Sequence, residues 1–147
     1  LPLGAPVRAM LVVRGVLGAV HVGDSRISRL RDGKLEQLTE DHSLLNHYKR
    51  TRPMSEHEIK NFKGKNVIVR AVGLRETVEP ETHVWDYASG DVYLLCTDGV
   101  TDGVDDLTLE GLLAVGDDPQ PIAAAVVEAA VEGGSKDNIT AVILLLE

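Results

Sequence analysis

Apolar positions alternate at the start of the chain, lapse in a polar stretch, and return as buried runs and a helical stripe. Val7 to Val13 and Val16 to Val22 are β-rich runs separated by Arg14-Gly15, which predicts a hairpin. Ile27 to Leu30 and Leu35 to Leu38 flank Arg31-Asp32-Gly33-Lys34, where Asp-Gly is a two-residue hairpin signal. Four consecutive strands joined by tight turns predict an antiparallel sheet. From about His42 to Asn66 the chain turns polar and poorly periodic. A short helix over Leu44 to Arg50 and a capping box at Ser55-Glu56-His57-Glu58 are its only helical signals. Residues 42–66 therefore read as a flap-like insertion in a single domain spanning 1–147.

Strand character resumes over Val67 to Val72, ahead of Gly73, and over Glu81 to Tyr87, where alternation fits a half-exposed strand. Val92-Tyr93-Leu94-Leu95-Cys96 is a continuous apolar run between Gly90-Asp91 and Asp98-Gly99, the pattern of a strand buried on both faces. Leu107 to Ala114 predicts a short helix. Pro119 to Glu132 predicts a longer one, with Pro near its start and Gly133-Gly134 as its stop. Ile139 to Leu146 closes the chain as a buried strand. Runs of strands followed by helices predict an α+β domain, antiparallel sheets flanked by helices.

Composition narrows the function classes. At 147 residues the chain has the length of one domain, able to bury roughly two thirds of its unfolded surface. Aromatic residues are only 3%, so the core must come from Val, Leu, Ile and Ala. A net charge of -8 argues against a nucleic-acid surface, which needs a basic face, and suits carboxylates that gather cations. The single Cys96 has no internal disulfide partner and reads as a small core hydrophobe. No apolar run approaches the roughly 20 residues of a membrane span. A cytoplasmic, reducing setting is expected. The chain begins Leu1-Pro2-Leu3-Gly4 without an initiator Met, so a piece of a longer polypeptide is expected.

Three acidic turns stand at strand edges: Gly23-Asp24-Ser25-Arg26, Thr97-Asp98-Gly99, and Ser135-Lys136-Asp137-Asn138. Oxygen-only ligands on rigid strand ends suit hard cations such as Mg²⁺ or Mn²⁺, which keep several waters. Each aspartate alone also fits a turn former. The tetrapeptide Thr97-Asp98-Gly99-Val100 is doubled as Thr101-Asp102-Gly103-Val104. Asp98 comes directly after the buried strand and can be rigidly aimed, whereas Asp102 reads as part of the next turn and helix start. His21 reads as a sheet-face or core residue, and His42 as a shaper of the flap base. His47, His57 and His83 show no carboxylate partner at useful spacing. Nothing positions Ser25 and His42 as nucleophile and base.

The motifs also occur in a telling order: Gly-Asp-Ser-Arg at 23–26, Leu35-x-Gln37-Leu38-Thr39-x-Asp41-His42-Ser43, Asn66-x-Ile68-x-Arg70-Ala71-x-Gly73, Cys96-Thr97-Asp98-Gly99-Val100-Thr101-Asp102, and Ser135-Lys136-Asp137-Asn138-Ile139-Thr140. Together, from about Val7 to Leu146, they resemble the C-terminal half or more of type 2C metal-dependent protein serine/threonine phosphatases, with the bacterial branch closest. The resemblance implies an antiparallel β-sandwich flanked by helices, present here in part. It implies two, or with a further weak site three, Mn²⁺ or Mg²⁺ ions. Asp98 and Asp137 would be ligands of the metal pair, and Asp24 would serve the additional ion together with Asp98. It further implies in-line attack on phosphorus by a metal-activated water and release of phosphate from phosphoserine or phosphothreonine. Partners would be phosphorylated proteins, kinases and kinase substrates among them.

The pattern departs from that family in one large respect. The phosphate-gripping Arg, a further acidic motif and the Asp-Gly-His-Gly turn of the family's N-terminal part are not present, and no His in this chain is followed by Gly. The 147 residues alone are expected to be inactive and to leave apolar faces exposed. The alternatives are a pseudophosphatase or phosphoprotein-binding regulatory module, and a plain acidic structural domain with Asp-rich turns.

Overall fold

A computed structural model describes residues 3–147; Leu1 and Pro2, at the start that lacks an initiator Met, lie outside the described residues. Seven strands and five helices run in the order β1 (Val7–Val13), β2 (Val16–Val22), β3 (Arg26–Arg31), β4 (Lys34–Gln37), α1 (Leu44–Thr51), α2 (Glu56–Lys60), β5 (Glu81–Asp86), β6 (Val92–Cys96), α3 (Asp98–Gly103), α4 (Asp106–Leu113), α5 (Pro119–Glu132) and β7 (Ala141–Leu145). All strand pairs among the described residues are antiparallel, and they form two sheets, β1-β2-β5 and β4-β3-β6-β7. The α+β class with antiparallel sheets and flanking helices is as expected.

The first four strands do not share one sheet. Both hairpins form, but the chain crosses from one sheet to the other through Gly23-Asp24-Ser25. Gly23 turns there at φ 109°, a left-handed conformation that favours glycine, against the ring of Pro6. A strand over Val67 to Val72 does not form either. Its backbone is divided between partners: the Val67 carbonyl accepts from Leu44, Val69 donates to His42, and Val72 exchanges two bonds with Ala5. Isolated bridges at Ser43–Ile68 and Ala5–Val72 are all that results.

The core lies between the four-stranded sheet and α3, α4 and α5. Leu94, Cys96, Val100, Leu113, Val126 and Ala130 are at most 2% exposed in it. Burial raises the Cys96 thiol to about 11, which makes it the inert apolar group read from the sequence. The predicted capping box at Ser55 and Glu58 is present, and α5 carries Pro119 in its first turn and ends at Gly133. On the three-stranded sheet, β1 is an edge strand, and Val7, Leu11, Val13 and Val84 are between 46% and 74% exposed. The expected uncovered apolar face is therefore real.

Arg31 and Asp91 tie β3 to the start of β6. Arg31 donates from Nε and Nη2 to the two Asp91 carboxylate oxygens at 2.7 and 2.6 Å, and the Ala88 N–H and Tyr93 hydroxyl also donate to that carboxylate. Burial on its own would raise the Asp91 carboxyl, but these bonds outweigh it and hold the group below its ordinary value. A depressed carboxyl stabilises the fold above its unfolded pKa, and that stability is lost as pH falls through the lower folded value. Asp91→Ala should cost about 3 kcal/mol in urea unfolding at neutral pH, the low end for a buried pair because Arg31 keeps access to water. The difference should shrink as the solution is acidified.

Candidate metal centre

Asp98 and Asp137 are brought together by pairing of neighbouring strands. β6 and β7 lie side by side with Cys96 opposite Ala141, so the segments bearing the two aspartates leave the sheet at the same edge. Thr97 locks them together. Its N–H donates to the Thr140 carbonyl, its hydroxyl donates to the Asn138 carbonyl at 3.1 Å, and that hydroxyl accepts from the Thr140 N–H at 3.0 Å. Thr97 also stands at the N-cap of α3 but makes no side-chain cap bond, because its hydroxyl is committed across the edge. Gly99 completes the contact, since a Cβ there would strike the Asn138 carbonyl.

The stretch after β6 is not the simple turn that Asp-Gly predicts. The first residue of α3 is Asp98 itself, immediately past the strand. The doubled tetrapeptide ends inside the same helix: Asp102 belongs to α3, and α4 is capped instead by Asp105, whose side chain accepts from Thr108 at 2.8 Å. Asp102 therefore starts no helix.

Asp24 reaches the same end of the molecule from the crossing between sheets. Its turn is clamped by the Asp41-His42-Ser43 stretch. The His42 N–H donates to the Gly23 carbonyl, and the Gly23 N–H donates to His42 Nδ1 at 3.0 Å. Asp41 is in turn gripped by Arg26, which donates from Nε at 3.0 Å and Nη2 at 2.7 Å. His42 thus shapes the base of this turn through both its backbone and its ring.

Electrostatics couples the three turns. Burial raises the Asp98 carboxyl, and the charge of Asp137 adds to the shift. Burial likewise raises Asp24, with the charge of Asp98 as the next contribution. Asp98 and Asp137 each accept the N–H of the following residue on Oδ1, at 3.0 and 2.7 Å, and no side-chain cation bonds to either among the described residues. Neighbouring carboxylates with no cation bonded to Asp98 or Asp137 are a donor set that a divalent cation would satisfy, with water filling the remaining positions. The oxygens of Asp24, Asp98 and Asp137 do not lie mutually within 4.8 Å, and the one trio of metal-ligating groups that does, among the described residues, is elsewhere, at His21, Glu81 and His83. Sequence reading missed that second cluster. Glu81 is two residues before His83 on one strand, so a period-2 reading of the strand face would have paired them.

Arg8 of β1 is a further member of the site that sequence reading did not single out. Its guanidinium donates to the Cys96 carbonyl, bridging the two sheets beside the candidate ligands. Burial lowers its pKa, and the charges of Asp24 and Asp98 oppose that shift. A positive charge beside two carboxylates disfavours a metal ion there. Arg8→Gln is therefore expected to tighten Mn²⁺ binding roughly 5-fold, on the scale of ~1 kcal/mol for one nearby charge. Titration followed by the loss of the free Mn²⁺ paramagnetic resonance signal would read this out.

No protein-family model matches the chain. The serine/threonine phosphatase stp of Listeria welshimeri is 34% identical over 145 residues, covering 99% of this chain and 57% of that protein. The crystal structure of the Mycobacterium tuberculosis serine/threonine phosphatase PstP/Ppp is similar at TM-score 0.88 and 35% identity, over 98% of this chain and 60% of that one. The catalytic domain of PstP in complex with two manganese ions is similar at TM-score 0.79 and 32% identity, over 95% and 57%. The chain spans well under two thirds of the length of each of these proteins. Over nearly its whole length, then, this chain is a homologue of the bacterial type 2C serine/threonine protein phosphatases.

Proposed function

We propose that the chain carries one side of the active site of a Mn²⁺- or Mg²⁺-dependent protein serine/threonine phosphatase, with Asp98 and Asp137 as ligands of a metal pair and Asp24 as ligand of an additional ion. The observation that carries this reading is the β6–β7 edge, where Thr97, Gly99 and Asn138 set the Asp98 and Asp137 segments against each other, with no protein cation bonded to either aspartate among the described residues. Bound ions would supply a water of lowered pKa and offset charge on the transferred phosphoryl group. The chain's own work is positional. Thr97 and Gly99 hold the Asp98 and Asp137 segments in contact, and His42 and Arg26 hold the Asp24 turn. Residues 42–66, with α1 and α2, would form a flap beside the site. Substrates would be phosphorylated proteins, including kinases, in the cytoplasm, a setting that fits the single free thiol.

A second reading, a phosphoprotein-binding module without turnover, draws on Arg8, an internal countercharge for Asp24 and Asp98. The experiment that separates them joins the chain to the part of a bacterial relative that it does not match. Mn²⁺-dependent hydrolysis of a phosphothreonine peptide, lost on Asp137→Ala, supports the enzyme. Peptide binding without turnover supports the module. Full activity of the 147 residues alone would overturn the view that they hold only one side of the site.

A further inference from the structure

The face of the three-stranded sheet that carries Arg8 also holds imidazoles and a carboxylate that the aspartate site does not use. β2 presents His21, and β5 presents Glu81 and His83. The register places His21 opposite Glu81 and Ala19 opposite His83, so the two histidines are diagonal neighbours on one face. Their rings stack with centroids 5.3 Å apart and planes at 21°. His21 is 1% exposed.

Glu81 divides its two oxygens. Oε1 is occupied, with His42 Nε2 at 3.1 Å, Arg50 Nη2 at 3.4 Å and Arg70 Nη1 at 3.5 Å. Oε2 is left facing His21 Nε2 at 4.0 Å and His83 Nε2 at 3.9 Å, too far for a hydrogen bond to either. One ligand atom from each of the three residues lies within 4.8 Å of the other two. His21 Nδ1 and His83 Nε2 are buried without a hydrogen-bond partner. Buried polar atoms are normally paired, so His83 Nε2, which faces Glu81 Oε2, is a gap in the bonding that a ligand would fill.

We infer that His21, Glu81 and His83 form a second metal site, separate from the aspartates, for a borderline transition ion of the Zn²⁺ class. Two imidazole nitrogens and one carboxylate oxygen are a Zn²⁺ donor set, whereas Mg²⁺ and Mn²⁺ favour oxygen alone. Bonds of about 2.0–2.1 Å in a tetrahedron set ligand atoms about 3.3 Å apart, so closure of roughly 0.6 Å at the two Glu81 contacts, and of at most about 1.5 Å between the histidines, assembles the site. Burial would raise the Glu81 carboxyl, but His42 and then Arg50 hold it below its ordinary value and leave Oε2 for the ion. His21 Nε2 now lies 3.1 Å from the Glu40 carbonyl. On binding, it gives up that contact, and the ring proton resides on Nδ1 instead. Burial lowers the pKa of His21, which keeps its ring in the neutral form that ligates. Three protein ligands leave one position for water, and the ion ties β2 to β5.

The test titrates the folded 147-residue chain, monitored by circular dichroism, with Co²⁺ as a coloured stand-in and then with Zn²⁺. One Co²⁺ per chain should give the visible bands of a low-symmetry, four-coordinate centre, and one Zn²⁺ should bleach them. The site should survive in the triple variant Asp24→Asn, Asp98→Asn, Asp137→Asn. It should lose at least about 100-fold in affinity in His83→Ala and in Glu81→Gln. These two positions are about a quarter exposed, so neither change empties the core. Absence of a stoichiometric Co²⁺ signal on the wild-type chain overturns the proposal. So does a signal that persists in both single variants, or one that disappears in the triple aspartate variant.

Discussion

Replacing Asp98 by Ala is expected to abolish measurable Mn²⁺ binding by this chain, and to do so without unfolding it. Asp98 is the carboxylate that links the other two: burial and then its charge raise Asp24, and burial and then the charge of Asp137 raise Asp98. Losing an outer-shell partner costs a metal site about 10–100-fold, and losing a ligand from so sparse a set should exceed that. Metal-free stability should move the other way. A carboxyl whose folded pKa is raised contributes stability below its unfolded pKa, and this is lost as pH rises through the folded value. At neutral pH the ionised Asp98 is therefore a burden on the metal-free fold. Asp98→Asn, which keeps the shape and removes the charge, should raise the metal-free Tm by about 1–3 °C. A calorimetric scan in chelator alongside a Mn²⁺ titration checks both signs. A variant that loses Mn²⁺ and also melts earlier in chelator would mark Asp98 as a structural turn residue.

Much of this site is legible in the chain because its chemistry sits at the ends of strongly patterned elements. The apolar run 92–96 can only be a buried strand, and a buried strand must deliver the residues beyond its end, Asp98 among them, to an edge. The final apolar run brings Asp137 to the same edge by pairing with it. What the pattern does not carry is partnership between distant segments. Alternation in residues 7–38 is the same whether four strands share a sheet or divide at Gly23, so the crossing between sheets is invisible until the register is known. Val67 to Val72 has strand composition, but its backbone bonds go to residues near positions 5 and 43 rather than to one neighbour, and no ladder forms. His21 and His83 meet across a β2–β5 register spanning some sixty residues, and no local spacing encodes that. Arg8 escaped for the same reason, because its partners arrive from the other sheet.

Gly99→Ala should do what no charge substitution can, which is to separate the aspartates without removing either. A Cβ at 99 would strike the carbonyl of Asn138, a backbone atom fixed by Thr97, so the α3 start and the 137–138 turn must part. Overpacking of this kind costs about 1–3 kcal/mol, and more where the obstacle is backbone. The same collision occurs at the far end of α3, where a Cβ at Gly103 would strike the Ala130 carbonyl of α5. Gly103→Ala is therefore the control: a comparable loss of stability, with the Gly99–Asn138 contact left in place. Under conditions where both variants remain folded by circular dichroism, Gly99→Ala should weaken Mn²⁺ binding by roughly 10-fold or more and Gly103→Ala should not. Equal affinities would show that the two aspartates need no fixed separation. They would then act as independent surface carboxylates, each too weak to hold an ion in place.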